Sequence, residues 1–279
     1  MPELPEVETI ARFLREGGRN SLPIFGKTLA GGRALWLRTL EEPSPSRFAA
    51  RLKDQKISSI GRRGKFIVIK LTNDTLLIHL RMSGDLRCEP ALDDTGEKIP
   101  LQPHDRLVLE FTDHTRLAFN DPRKFGRVWL LVDPQPLLGE LGPEPLDPAL
   151  TAGEFHNMLT SRHRMLKPLL LDQTFLAGLG NIYTDESLHL AHLHPLTLSD
   201  SLDRTRADEL LRAIHSVLAE GIRRNGASID WAYRGGDFQN AFRVYQRTGQ
   251  PCPVCGTPIE RITVGQRGTH FCPVCQPKP

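Results

Sequence analysis

Apolar positions recur with two different periods along this chain, and the change of period divides it. Val7, Ile10, Ala11 and Leu14 stand at i, i+3, i+4 and i+7, one apolar stripe on a helix. Pro5 suits a first helical turn, where its missing N–H would be an orphan anyway. Glu3, Glu6 and Glu8 complement the positive end of the helix dipole. The pattern then shortens. Residues 57–60, 66–69, 75–78, 106–111, 115–119 and 128–130 are strand-like runs, separated by turn residues such as Asn73-Asp74 and Asp113. This predicts an antiparallel sandwich or barrel over residues 1–133, with the first helix packed on it.

Five prolines, at 134, 136, 143, 145 and 148, then exclude any long helix and mark a linker over residues 134–148. Beyond it the period becomes helical. Phe155, Met158, Leu159 and Met165 lead to Leu169-Leu170-Leu171. Leu210, Leu211, Ile214, Val217 and Leu218 predict a long helix ending near Gly226. These define a helical domain over 149–229. Residues 230–250 are polar and contain Gly235-Gly236, as in a loop leading to strands. The last segment, 230–279, closes the chain without internal repeats.

At 279 residues, with 39% hydrophobic and 25% charged residues, the chain has room for two cores. No run approaches the ~18 apolar residues of a membrane span. The N-terminus is acidic and lacks the apolar core of a signal peptide, so the expected location is cytoplasmic. A net charge of +3 announces no partner. However, 27 of the 36 basic residues are Arg, which suits bidentate phosphate contact. They cluster at Arg62-Arg63-Lys65, Arg123-Lys124-Arg127, Arg162-Arg164-Lys167, Arg223-Arg224 and Arg243-Arg247. Local basic patches are compatible with a polyanion, although most such clusters are solvated faces.

Four of the five cysteines form Cys252-Pro-Val-Cys255 and Cys272-Pro-Val-Cys275, with sixteen residues between the pairs. Two CxxC knuckles at this spacing indicate one zinc ion held by four thiolates, a closed and therefore structural site. Disulfides are disfavoured in a reducing compartment. Cys88 stands alone as a small core residue.

Pro2 is not explained by the helix. A proline behind Met1 favours removal of the methionine and exposes a secondary amine. An α-amino group has a reference pKa of about 7.7–8, so a neutral, nucleophilic fraction exists at neutral pH. Most N-terminal prolines are nevertheless inert.

Several strings, in order, resemble the formamidopyrimidine-DNA glycosylase family. They are PELPEVET at 2–9, GRRGKF at 61–66, HLRMSG at 79–84, DPRKFG at 121–126, LGPEPL at 141–146, GLGNIYTDESL at 178–188, and the cysteine segment with Gln266-Arg267. The PELPE start and DPRKFG favour this family over the sister endonuclease VIII group, which usually begins PEGPE. The resemblance implies an α+β multidomain fold. An N-terminal helix and β-sandwich would be followed by a helical domain with a helix-two-turn-helix and a β-hairpin zinc finger. It implies a monomeric bacterial base-excision repair enzyme acting on damaged double-stranded DNA.

By the same resemblance, Pro2 would attack C1′ of the damaged nucleotide and form an iminium, followed by β- and δ-elimination. Glu3 would protonate the sugar oxygen, with Glu6 as a neighbouring acid or proton shuttle. Without the resemblance, Glu3 reads as a solvated N-terminal charge. Lys65 would reach a phosphate beside the lesion; alone, it reads as an exposed strand-edge lysine. His79, otherwise a core histidine, would contact backbone phosphate. Met82, Arg123 and Phe125 would fill the gap left by a flipped base; their adjacency to Gly84 and Gly126 suggests exposed turns. Asn181 and Arg267 would hold a phosphate from the helix-two-turn-helix and the zinc hairpin.

The segment 225–245 corresponds to the family's base-capping loop and is shorter than usual. Ala227-Ser228 replaces a common Thr pair, and Gln246 a usual Gly. Oxidised-purine preference is therefore weighed against a preference for oxidised pyrimidines or abasic sites. A non-enzymatic zinc-ribbon damage-binding protein, and an unrelated enzyme using an N-terminal proline as a base, are the other readings.

Overall fold

The stripe at 7, 10, 11 and 14 becomes the buried face of helix α1 (Leu4–Glu16). The computed structural model describes residues 1–19, 21–228 and 235–279, which divide into two compact units. The first comprises Met1–Leu138 with Asn225–Gly236. The second comprises Gly139–Arg224 with Asp237–Pro279.

In the first unit, α1 packs against two sheets. The five-stranded sheet has the order β2 (Leu40–Glu42), β9 (Arg127–Leu131), β5 (Thr75–His79), β4 (Phe66–Leu71) and β3 (Ile57–Arg63). The four-stranded sheet has the order β1 (Leu29–Ala34), β7 (Asp105–Phe111), β8 (Thr115–Asn120) and β6 (Asp85–Pro90). Pairing is antiparallel except between β2 and β9. Every interior strand was legible as an apolar run. Three of the four edge strands, β1, β2 and β6, were not. An edge strand has one neighbour and need not carry a continuous apolar pattern. β1 reads LAGGRA because helix α2 (Pro45–Leu52) lies on it: a Cβ at Gly32 would come 2.6 Å from Leu52 Cδ1. One core joins α1, α2 and both sheets, and Cys88 is fully buried within it. The unit ends with a short turn of helix, α3 (Gln135–Leu138).

The second unit holds α4 (Ala152–Thr160), α5 (Leu166–Leu171), α6 (Asn181–Leu190) and α7 (Arg204–Arg223). Thr151 caps α4 and Asp203 caps α7 through side-chain acceptors. Both α4 and α6 pack on α7, whose buried face carries Leu210, Leu211, Ile214, Val217 and Leu218. The hairpin β10 (Glu260–Val264) and β11 (Arg267–Phe271) follows. Among the described residues no helix is long and apolar enough to cross a membrane.

Candidate nucleic-acid interface and metal centre

At the start of α1, Pro2 is buried, and Glu3 and Glu6 are each only 2% exposed. The solvated-charge reading of Glu3 therefore fails. Glu3 occupies the N-cap, and Glu6 Oε2 accepts its N–H at 2.8 Å. The other Glu6 oxygen, Oε1, accepts the Ala227 N–H at 2.7 Å. Gly226 is required beside it: its φ is +79°, and a Cβ there would lie 2.5 Å from Glu6 Oε1. Ser228 Oγ donates to the Gly236 carbonyl at 2.8 Å and accepts the Gly235 and Gly236 amides at 3.1 and 2.9 Å. One hydroxyl thus ties residue 228 to residues 235 and 236. The rest of the expected capping loop, residues 229–234, lies outside the described residues.

Lys65 lies in the two-residue turn between β3 and β4, where Arg63 pairs with Phe66 and Gly64 supplies a φ of +54°. It is 5% exposed, so it is not a solvated edge lysine. Phe66 pairs in turn with His79, and the two rings meet edge to face at 4.8 Å. His79 Nδ1 accepts the Arg81 N–H at 3.0 Å. Burial, with help from Arg81 and Lys65, pushes the His79 pKa down to about 3. The ring is therefore neutral, and its one proton sits on Nε2 as a donor.

Met82 and Phe125 are 43% and 50% exposed, and Arg123 is exposed. Arg123 Nη1 lies 3.8 Å from Met82 Sδ. The turns that carry them are held from below by Asp121, which is fully buried. Asp121 accepts Ser83 Oγ–H on one oxygen and the Gly126 N–H, at 2.7 Å, on the other. Arg127 Nη1 faces the carbonyls of Lys124, Phe125 and Gly126. An apolar side chain, an aromatic ring and a planar cation thus stand exposed on braced turns. Asp121 was missed in the sequence because it reads there as an ordinary turn acid.

In the second unit, α6 is buried almost all round, including its acids. Asp185 binds Lys167 Nζ on one oxygen and the backbone N–H of His270 on the other, at 2.9 Å. Lys167 also donates to the Asn181 carbonyl at 3.1 Å. Asn181 Nδ2 donates to the Gly268 carbonyl at 2.9 Å. Through these bonds α5, α6 and β11 form one framework. Glu186 accepts three successive amides, those of Arg243, Val244 and Tyr245. Burial raises its pKa against the pull of those amides. Two acids between Ile182-Tyr183 and Leu188 were the available signal for such buried anchors. The β10–β11 turn is Gly265-Gln266, both with positive φ, which is the type I′ geometry of a tight hairpin. It presents exposed Arg267 at its tip.

The four sulfurs of Cys252, Cys255, Cys272 and Cys275 lie within 4.8 Å of one another. Cys252 and Cys275 are 3.8 Å apart, Cys255 and Cys272 3.4 Å. Zn–S bonds of about 2.3 Å at tetrahedral angles separate sulfurs by about 3.8 Å. None of the five cysteines is in a disulfide. The set fits one structural zinc ion, leaving no open coordination position. Gln276 anchors this finger: it accepts the Cys272 N–H and donates to the Leu193 carbonyl at 2.8 Å.

Comparison with known proteins agrees over the whole chain. The formamidopyrimidine-DNA glycosylase N-terminal domain matches residues 1–128, and the H2TH domain of the same enzymes matches 141–232. A zinc finger found in these glycosylases and in isoleucyl-tRNA synthetases matches 249–278. The chain is 39% identical to the formamidopyrimidine-DNA glycosylase of Protochlamydia amoebophila, with all of each chain covered. It is 44% identical to that of Chloroflexus aggregans, with 99% of this chain and 98% of the relative covered. Its structure resembles wild-type Lactococcus lactis Fpg (MutM) in complex with DNA containing N7-benzyl-Fapy-dG. The TM-score is 0.88 and the identity 37%, over 99% of this chain and 100% of that one. MutM bound to DNA containing carbocyclic 8-oxo-G gives a TM-score of 0.87 at 36% identity, over the same shares.

Proposed function

Since the chain belongs to the formamidopyrimidine-DNA glycosylase family, we propose that it is a bifunctional glycosylase and abasic-site lyase of base-excision repair, removing oxidised purines from double-stranded DNA. The relatives are bacterial, and the reading places the enzyme in the cytoplasm with the chromosome.

After removal of Met1, the neutral Pro2 nitrogen attacks C1′ of the extruded nucleotide. The C–N bond to the base breaks, and its electron pair leaves with the base. Glu3 protonates the sugar ring oxygen, the ring opens, and an iminium joins Pro2 to C1′. The iminium acidifies the C2′ proton. Its loss expels the 3′ phosphate, and a second elimination expels the 5′ phosphate. Lys65, His79, Asn181 and Arg267 contact DNA phosphates. Met82, Arg123 and Phe125 occupy the vacated stack. Glu6 keeps the N-terminus and residue 227 in place. Cys252, Cys255, Cys272 and Cys275 would hold a zinc ion, which would stiffen the finger that carries Arg267.

The observation that carries this reading is the seclusion of Pro2 and Glu3 together at the start of α1. The candidate nucleophile and the candidate acid are neighbours in the chain, and both are withdrawn from bulk solvent. Borohydride trapping on duplexes containing 8-oxoguanine tests it. Wild type should yield a covalent protein–DNA adduct, and Pro2→Gly should not. Absence of an adduct with any oxidised base or abasic site removes the lyase assignment. Side-by-side cleavage of duplexes carrying oxidised purines or pyrimidines decides the base preference.

A further inference from the structure

The last turn of α6 contains a histidine that none of the roles above uses. His189 is 1% exposed, and its Nε2 lies 3.4 Å from Cys252 Sγ. Its other nitrogen, Nδ1, is buried without a hydrogen-bond partner among the described residues. The ring's polar engagement is therefore concentrated on one sulfur. We propose that His189 is an outer-sphere donor to the zinc site, giving its Nε2–H to the Cys252 thiolate and thereby tying the finger to α6.

A neutral imidazole carries one N–H and one lone pair. With the proton on Nδ1, a donor would be buried unsatisfied, and the Nε2 lone pair would face the lone pairs of a thiolate. With the proton on Nε2, the donor meets an anion and only an acceptor is left unpaired. A buried thiolate bound to zinc settles that choice, because four thiolates around Zn²⁺ leave two net negative charges to be stabilised. Other donors to cysteine sulfur lie within the finger, among them Val254 N–H to Cys252 at 3.5 Å, Cys275 N–H to Cys272 at 3.4 Å and Thr257 beside Cys255. His189 differs in coming from a helix outside the finger. Its helix begins at Asn181, so the bond joins Cys252 to the same helix whose first residue grips the hairpin through Gly268. An apolar aromatic could fill the site without desolvating two nitrogens, so volume alone does not account for histidine here.

The test is release of zinc from the purified holoprotein to excess chelator at constant pH. His189→Phe keeps the volume and removes the donor. It should release zinc about 10–100-fold faster, the usual cost of losing an outer-shell partner. His189→Gln retains an N–H near the Nε2 position and should stay within about threefold of wild type. Equal rates for wild type and His189→Phe overturn the proposal, as does release from His189→Gln as fast as from His189→Phe. Wild type supplies a measurement that needs no variant. Long-range ¹H–¹⁵N correlation on the zinc-loaded protein should show His189 as the Nε2–H tautomer; an Nδ1–H signature overturns the assignment even if a variant fails to fold.

Discussion

Glu6 Oε1 and the Ala227 amide meet at 2.7 Å across 221 residues of sequence. The same carboxylate holds the Glu3 amide at 2.8 Å. One side chain therefore couples the N-cap of α1 to the segment that follows α7. A buried amide left without an acceptor costs about 1–3 kcal/mol.

Glu6→Gln retains one acceptor oxygen for two amides. Single-turnover base excision should fall by about 10–100-fold, corresponding to one such loss. The melting temperature should also drop. An unchanged excision rate in a folded variant would show that the coupling is immaterial to the chemistry.

Arg123→Ala and Met82→Ala alter side chains that stand in solvent. Their effect on unfolding should stay within about 0.5 kcal/mol, while excision from duplex DNA falls. Arg123→Ala should also weaken discrimination between bases opposite the lesion. Cleavage rates on duplexes differing only in that base, beside urea unfolding curves, give both readouts.

His79 contributes to the pH dependence of stability in one direction. Its folded pKa of about 3 lies below the ordinary 6.5. Between these values the unfolded chain binds a proton that the native state refuses, so stability is lost as pH falls through that window. Above pH 6.5 the contribution vanishes. The slope is about 1.4 kcal/mol per pH unit for one full proton. His79→Gln should therefore gain about 2 kcal/mol relative to wild type between pH 6.5 and pH 5. Denaturant titrations of both proteins without DNA measure this; parallel curves would contradict it.

Arg267→Ala should weaken binding to every DNA sequence alike and reduce the dependence of log K on log salt by about one unit, as for loss of one phosphate contact. Asn181→Ala should also weaken binding to every sequence alike but leave the salt dependence nearly unchanged, because a neutral amide displaces no counterion; the hairpin should loosen as well, because Asn181 Nδ2 holds Gly268. A sequence-selective loss in either variant would move that residue from phosphate to base recognition.

Purified folded protein should contain about one zinc per chain, and chelation under mild denaturant should unfold the finger before the sandwich. Elemental analysis and cysteine alkylation followed by mass spectrometry check this. Zinc near zero with four unmodified thiols would defeat the assignment.

Much of this was readable in local pattern. The spacing of Val7, Ile10, Ala11 and Leu14 was enough for α1, because a 3.6-residue period has one way to bury such a stripe. Interior strands announced themselves because both neighbours and both faces constrain them. The two CxxC pairs announced a metal, because few other arrangements use four sulfurs at that spacing. Strings such as PELPEVET and DPRKFG carried the family.

Tertiary contact decided the rest. Burial of Glu3 and Lys65, the neutral state of His79 and the hub at Asp121 depend on groups brought together from distant segments, and a side chain's charge state follows its surroundings rather than its neighbours in sequence. The edge strands β1, β2 and β6 formed because a partner strand offered its hydrogen bonds, not because their own residues demanded it. His189 shows the same division: its type stands in the sequence, but only packing against Cys252 gives the ring a bond to make.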